Sequence, residues 1–271
     1  MKPRRGWRTA VRYTAIVVVL TVFLAPFLWM VLASLRRHVD ITSGRLFGGS
    51  FTLRNYRTVF DDFQFGDYVV NSLVIAGWST TLSLLIGLPA AYAIARGGMR
   101  RTAMTILVAR MVPGIGLVTP WYILFNYAGL TGTYTSMVVC HMLVSLPFVV
   151  WVMMNFFEGL STDFEDAAMA DGAGRVGAFV RIVLPLSLPG VVTSGILAFI
   201  FSWNNFLFSL VLSSKSTKPL PVAMYSFIGY SEVDWGGLMA AAVSVTLPVL
   251  VIALFVQRYI VAGLTAGAVK G

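Results

Sequence analysis

The sequence predicts an all-α membrane protein with six transmembrane helices, on three observations. Hydrophobic residues make up 58% of the 271 positions and charged residues only 11%, about half the charge of a soluble domain. The mean hydropathy is +0.82, and the apolar residues fall in runs long enough to cross a hydrocarbon layer of about 30 Å as helices. The acids are uneven, with five of the eleven crowded into one segment between the fourth and fifth runs. The first two observations exclude an ordinary soluble enzyme. Cys140 is the single cysteine, which excludes an intramolecular disulfide and a cysteine metal cluster.

The predicted spans cover residues 11–35, 69–95, 103–125, 134–157, 191–212 and 238–256. The first is too long for a cleaved signal peptide and has no small-residue cleavage site before Arg36 and Arg37. With the N-terminus inside, twelve of the twenty Lys and Arg residues fall on the cytoplasmic side and seven outside, with Arg110 inside span three. The short turn at Arg96, Arg100 and Arg101 decides the orientation, and both termini are expected in the cytoplasm. The net charge of +9 is therefore mostly topology, and a nucleic-acid partner is not implied. Pro26, Pro89, Pro113 and Pro120 are expected to interrupt spans, with Gly114 and Gly116 loosening span three.

Two connections are more than turns. Residues 38–65 mix Arg45, Arg54 and Arg57 with Asp40, Asp61 and Asp62, and with Phe51, Leu53 and Tyr56 they read as an ordered extracytoplasmic loop. Residues 158–188 hold all five cytoplasmic acids: Glu158, Asp163, Glu165, Asp166 and Asp171. Thr162 and Glu165 have capping-box spacing, so a helix is expected to start at Asp163. Its Phe164, Ala167, Ala168 and Asp171 recur at helical spacing, giving one face that a partner can approach closely. Gly172, Ala173 and Gly174 end it. A second helix from Arg175 is expected to carry Val176, Phe179, Val180 and Val183 on one side until Pro185 and Pro189 turn the chain into span five.

The stretch EDAAMADGAGRVGAFVRIVLPLSLPG resembles the EAA loop of bacterial ABC importer membrane subunits. The pattern falls on Asp166, Ala167, Ala168, Gly172, Ile182, Leu184 and Pro185, with Asp166 where the family usually has Glu and Glu165 beside it. The TLRNY segment from Thr52, the WNN at Trp203 and the ending QRYIVAGLTAGAVKG extend the resemblance to maltose-type sugar permeases over nearly the whole chain. The resemblance implies a type I ABC importer permease in the prokaryotic inner membrane. Residues 1–271 are then one permease domain, with 158–188 as its cytoplasmic coupling loop. Its partners would be a second permease subunit, two cytoplasmic ATPase subunits carrying ATP and Mg, an extracytoplasmic solute-binding protein and membrane lipid. The coupling residues would be Glu165, Asp166, Ala167, Ala168, Asp171 and Gly172, with the C-terminal tail reaching the same ATPases.

The residues themselves agree with that division of labour. No G-x-x-x-x-G-K-[ST] phosphate loop is present, so energy from ATP has to arrive through a partner, and no cofactor is expected on this chain. Gly172, Gly174 and Gly177 spell G-x-G-x-x-G, but that dinucleotide motif follows a strand, and here an acidic helix precedes it. Polar residues inside spans either face a solute route or tie helices together. Trp203, Asn204 and Asn205 in span five are the foremost pathway candidates, because amides hydrogen-bond hydroxyls and indoles stack on sugar rings. Asn71 in span two and Trp121 and Tyr122 in span three sit at similar depth. His141 is expected to tie helices and Arg110 to snorkel toward the cytoplasmic face.

Two rivals follow from the composition. A secondary transporter or channel would have no use for an amphipathic cytoplasmic loop, and an intramembrane enzyme would need paired acids, a metal cluster or a nucleophile with its base inside the spans.

Overall fold

The computed structural model describes residues 4–43, 49–109, 111–228 and 233–268, with side chains between 9 and 254. Arg110, Gly44, Arg45, Gly48 and the side chains of the C-terminal tail lie outside the described residues. In chain order the helices are α1 (Arg4–Ser34), α2 (His38–Thr42), α3 (Arg54–Arg57), α4 (Phe65–Arg96), α5 (Arg100–Ala109), α6 (Gly114–Tyr127), α7 (Tyr134–Glu158), α8 (Asp163–Ala170), α9 (Arg175–Ala178), α10 (Leu184–Leu186), α11 (Leu188–Trp203), α12 (Leu207–Leu212), α13 (Leu220–Ala223) and α14 (Trp235–Ala268). Among the described residues the only β pairing is two isolated bridges, Arg36 with Phe51 and Ile228 with Val233.

Four helices are each long and apolar enough to cross a bilayer, within α1, α4, α7 and α14, and two bent pairs meet the same test if each pair counts as one span. The expected first, second, fourth and sixth spans are therefore continuous helices. The third and fifth are not. Span three stops at Ala109 and restarts at Gly114, with Pro113 extended (φ −58°, ψ 127°) at the junction. Of the four prolines expected to interrupt spans, Pro113 does so, whereas Pro26, Pro89 and Pro120 lie inside unbroken helices. Span five breaks after Trp203, and α12 begins only at Leu207. The last helix continues past the predicted end at 256 as far as Ala268.

The chain divides into two compact units. One comprises Met1–Gly66 with Met224–Leu247. Its α1 leaves apolar side chains such as Phe23, Val22 and Val17 exposed along its length, a surface compatible with lipid or an apolar partner and not with water. The TLRNY segment closes the end of that helix. Asn55 Nδ2 donates to the carbonyls of Ser34 (2.8 Å) and Arg36 (2.7 Å), and Tyr56 Oη lies 2.8 Å from Ser34 Oγ. These bonds satisfy carbonyls that a helix terminus leaves without a partner, and they fasten the segment 52–56 to the end of α1. Phe63 and Phe65 pack on Phe227 beneath it.

The other unit comprises Asp67–Ala223 with Pro248–Gly271. Here α11 lies along α7, and Gly190 permits the close approach: a Cβ at that position would stand 2.7 Å from the Phe156 ring. Leu88, Ala91, Val149, Met153, Phe157 and Val183 form one buried cluster. A second gathers Ile75, Phe125, Met137, Phe208 and Leu212, with Trp121 packed against it.

Candidate functional site

The segment after α7 folds as two helical pieces around a glycine turn. The first starts at Asp163, as the sequence predicts, and Asp163, Glu165 and Asp166 occupy its first turn, where they complement the partial positive charge of the N-terminus. The capping box does not form. Thr162 has helical backbone angles (φ −71°, ψ −18°) and makes no side-chain cap, and the amide of Asp163 is instead met by Ser161 Oγ at 3.2 Å. At the other end Ala173 N donates to Ala168 O (3.0 Å) and Gly172 N to Met169 O (3.1 Å), a Schellman closure. It needs the left-handed backbone that Gly172 adopts at φ +88°.

Freed from the cap, Glu165 turns inward and is 5% exposed. Its Oε1 accepts from Arg96 Nε at 2.8 Å and also from Nη2, and its Oε2 accepts the Tyr92 hydroxyl at 2.6 Å. The same guanidinium donates through Nη1 to the carbonyl of Phe157 (2.9 Å) and through Nη2 to that of Leu160 (3.4 Å). Tyr92 is held between rings, 4.6 Å from Phe179 and 5.9 Å from Phe157 between centroids. In the sequence Arg96 reads only as a topological charge and Tyr92 as an ordinary span residue; the one signal available is an aromatic hydroxyl four residues before an arginine at the end of a span.

The elbow also leaves large apolar side chains exposed among its charges. Phe164 is 55%, Val176 78% and Val180 51% exposed, and Asp166, Ala167, Asp171 and Gly172 are exposed with them while Ala168 is half-buried. The predicted single face of the second helix divides: Val183 is buried and Phe179 packs on the core, leaving Val176 and Val180 outside. The piece Arg175–Leu186 then meets α11 at 78°. Of the G-x-G-x-x-G glycines, Gly172 and Gly174 lie in the turn after an acidic helix and Gly177 lies within α9, and no strand precedes them as a dinucleotide site requires.

The pathway candidates separate into two groups. Trp203 is 1% exposed and stacks on Phe199 (5.6 Å), and Trp121 stacks on Phe125 (5.6 Å). Asn71 is buried, donating to the carbonyls of Ser216 (3.1 Å) and Lys218 (2.9 Å) and accepting the Tyr134 hydroxyl. Asn204 and Tyr122 are exposed and Asn205 is half-buried. The two asparagines also account for the break in span five. Asn204 Nδ2 donates back to Ile200 O (2.9 Å) and Asn205 Oδ1 accepts from Phe208 N (3.3 Å), local bonds that compete with the helical ladder.

His141 spans the break. Its Nδ1 lies 2.8 Å from Ser202 Oγ on α11 and its Nε2 3.2 Å from Ser209 Oγ on α12, while Ser79 Oγ on α4 donates to Ser202 Oγ at 2.9 Å. It ties helices, as expected of a lone membrane histidine.

Residues 83–266, which include the elbow and both helices it joins, match the model of the binding-protein-dependent transport system inner membrane component. The chain belongs to this family. It is thus a multi-pass inner-membrane permease subunit, and the reading as a stand-alone secondary transporter or channel falls away. It is 37% identical to the trehalose transport system permease protein SugB of Mycobacterium tuberculosis over 254 residues, covering 92% of this permease and 93% of that one. It is 34% identical to the trehalose/maltose transport system permease protein MalG of Thermococcus litoralis, covering 92% of both. Among solved structures it resembles a chain of a bacterial ABC transporter that imports the acidic polysaccharide alginate, with a TM-score of 0.80 and 21% identity over 96% of this chain and 98% of that one. That likeness supports the type I importer fold.

Proposed function

We propose that this permease is one of two membrane subunits of an ATP-driven importer for a sugar or a related polyol or oligosaccharide. Two cytoplasmic ATPase subunits bind ATP and Mg and grip the elbow over residues 158–188, and an extracytoplasmic binding protein delivers the solute. Both termini lie in the cytoplasm. The observation that carries this reading is the elbow's outward face: Phe164, Val176 and Val180 are exposed beside the acid Asp166 on a segment whose inner face is fixed to the membrane helices. Exposed apolar side chains with charges among them suit a groove on a partner subunit. The trehalose and maltose relatives support the solute class. Asn204, Asn205 and Tyr122, which are not fully buried, are assigned to meet that solute, while Trp203, Asn71 and Trp121, engaged with other residues of the permease, are assigned a structural role.

The test is to assemble the complex with its binding protein in proteoliposomes and follow ATP hydrolysis with trehalose, maltose and glycerol 3-phosphate in turn. One of the two sugars is expected to stimulate hydrolysis. Ala167→Glu, which puts a charge on the docking face, is expected to remove the ATPase subunits without disturbing membrane insertion; a variant that keeps them would overturn the docking assignment.

A further inference from the structure

The elbow is joined by chain to α7 and, through the second helical piece, to α11. It has no chain connection to α4, whose last residue, Arg96, precedes Glu165 by 69 positions, yet it is fastened there as well. We propose that Arg96 and Tyr92 are positioning residues of the transport cycle: through Glu165 they lock α8 to the cytoplasmic end of α4, so that a push on the elbow is delivered to span two as directly as to spans four and five. This rests on the reading of 158–188 as the docking elbow.

The geometry is that of a joint and not of an incidental surface pair. Both carboxylate oxygens of Glu165 are taken, one by Arg96 and the other by the Tyr92 hydroxyl at 2.6 Å. The guanidinium also holds the carbonyls of Phe157 and Leu160 at the exit of α7, so one rigid planar group fixes three elements at once. Arginine is suited to this because its donors are fixed in a plane, whereas a lysine carries a single swivelling charge. The Tyr92 ring, packed against Phe179 and Phe157, adds the second helical piece to the same block. Packed helices move between discrete arrangements and do not bend continuously, so elements locked in this way move as a body. The joint also divides the two neighbouring acids. Glu165 faces inward and is spent on the joint, and Asp166 is the exposed one, left to face the ATPase.

The experiment uses the assembled transporter in proteoliposomes and reads solute imported per ATP hydrolysed. Glu165→Gln and Arg96→Lys are expected to retain the ATPase subunits at wild-type stoichiometry and to hydrolyse ATP, while solute per ATP drops roughly tenfold, within the range usual for coupling between two sites. Tyr92→Phe is expected to lower it by about fivefold, the low end of that range. Unchanged solute per ATP in correctly assembled Glu165→Gln overturns the joint and leaves the docking reading intact; retention of the ATPase by Ala167→Glu overturns the docking reading instead. Should Glu165→Gln fail to assemble, a distance measurement decides. Spin labels at Met99→Cys and Asp163→Cys are expected to keep one separation with and without trapped nucleotide, and Cys140, being buried, stays unlabelled. A separation that changes between the two states overturns the joint.

Discussion

The elbow after α7 and the break in span five are both places where helical chain is interrupted and polar side chains carry the interruption, but they use different chemistry. The elbow is held by an ion pair with a phenol attached, Arg96, Glu165 and Tyr92. The break is held by neutral groups, His141 between Ser202 and Ser209. Burying a full charge is tolerated only with complete pairing, and the cost rises with depth in the bilayer. A charged joint therefore suits the end of a span, and an imidazole with hydroxyls suits the interior of one. The elbow turns apolar residues outward and hides Glu165, one of its five acids. At the break Trp203 is hidden and Asn204 is outside.

The sharpest way to break the comparison is to remove one partner of each joint. Arg96→Ala leaves the Glu165 carboxylate buried without its cation, and such losses cost about 3–5 kcal/mol. With the Arg96 side chain 19% exposed the lower end, about 3 kcal/mol, is expected. It should appear as a loss of folded complex in thermal unfolding in detergent. If Arg96→Ala unfolds no earlier than wild type, the ion pair is a surface contact and the contrast between the two joints disappears.

His141→Leu at the break keeps a side chain of similar size and removes the hydrogen bonds to Ser202 and Ser209, which average about 0.6 kcal/mol each inside membranes. A loss of roughly 1 kcal/mol is expected by the same measurement. A loss as large as that of Arg96→Ala would show the neutral joint to be as strong as the charged one.

How far each region was legible follows from the range of its bonds. Part of what local spacing sets is readable: the start of α8 at Asp163, the glycine turn at Gly172 and the continuous helix from Tyr134. So is the segment 52–56, although its bonds to Ser34 and Arg36 are not visible. The capping box was misread because Thr162 and Glu165 have the right spacing, and spacing does not reveal that an arginine 69 residues away outcompetes the cap. Arg96 was hidden for the same reason: as one of three arginines in a short turn its topological meaning was sufficient. The break at Asn204 was overlooked because an apolar run of span length reads as one helix, while the asparagines' bonds to Ile200 O and Phe208 N are what interrupt it.

Gly172→Ala probes the elbow from its turn and not from its joint. A Cβ there meets nothing within 4 Å, so the penalty comes only from the backbone at φ +88°, about 1–2 kcal/mol for a left-handed non-glycine residue. Only the lower part, about 1 kcal/mol, is expected if the Schellman bonds can relax. An unaltered unfolding midpoint would mean that the turn adjusts freely, and the elbow would then be rigid only where Arg96 holds it.

The smallest effect on the fold is expected from Phe164→Ser, on the exposed side of the same helix that buries Glu165. Phe164 is 55% exposed, and substitutions at such surfaces usually stay within about 0.5 kcal/mol. Yet this is the face assigned to the ATPase groove, where a desolvated aromatic anchor commonly accounts for about 2 kcal/mol or more of binding. Phe164→Ser should therefore unfold with wild-type midpoint while the ATPase subunits co-purify at a fraction of wild-type stoichiometry, whereas Arg96→Lys is expected to retain them. If Phe164→Ser instead loses stability and keeps the ATPase, the two sides of α8 do the same work, and the separation between an inner joint and an outer docking face is wrong.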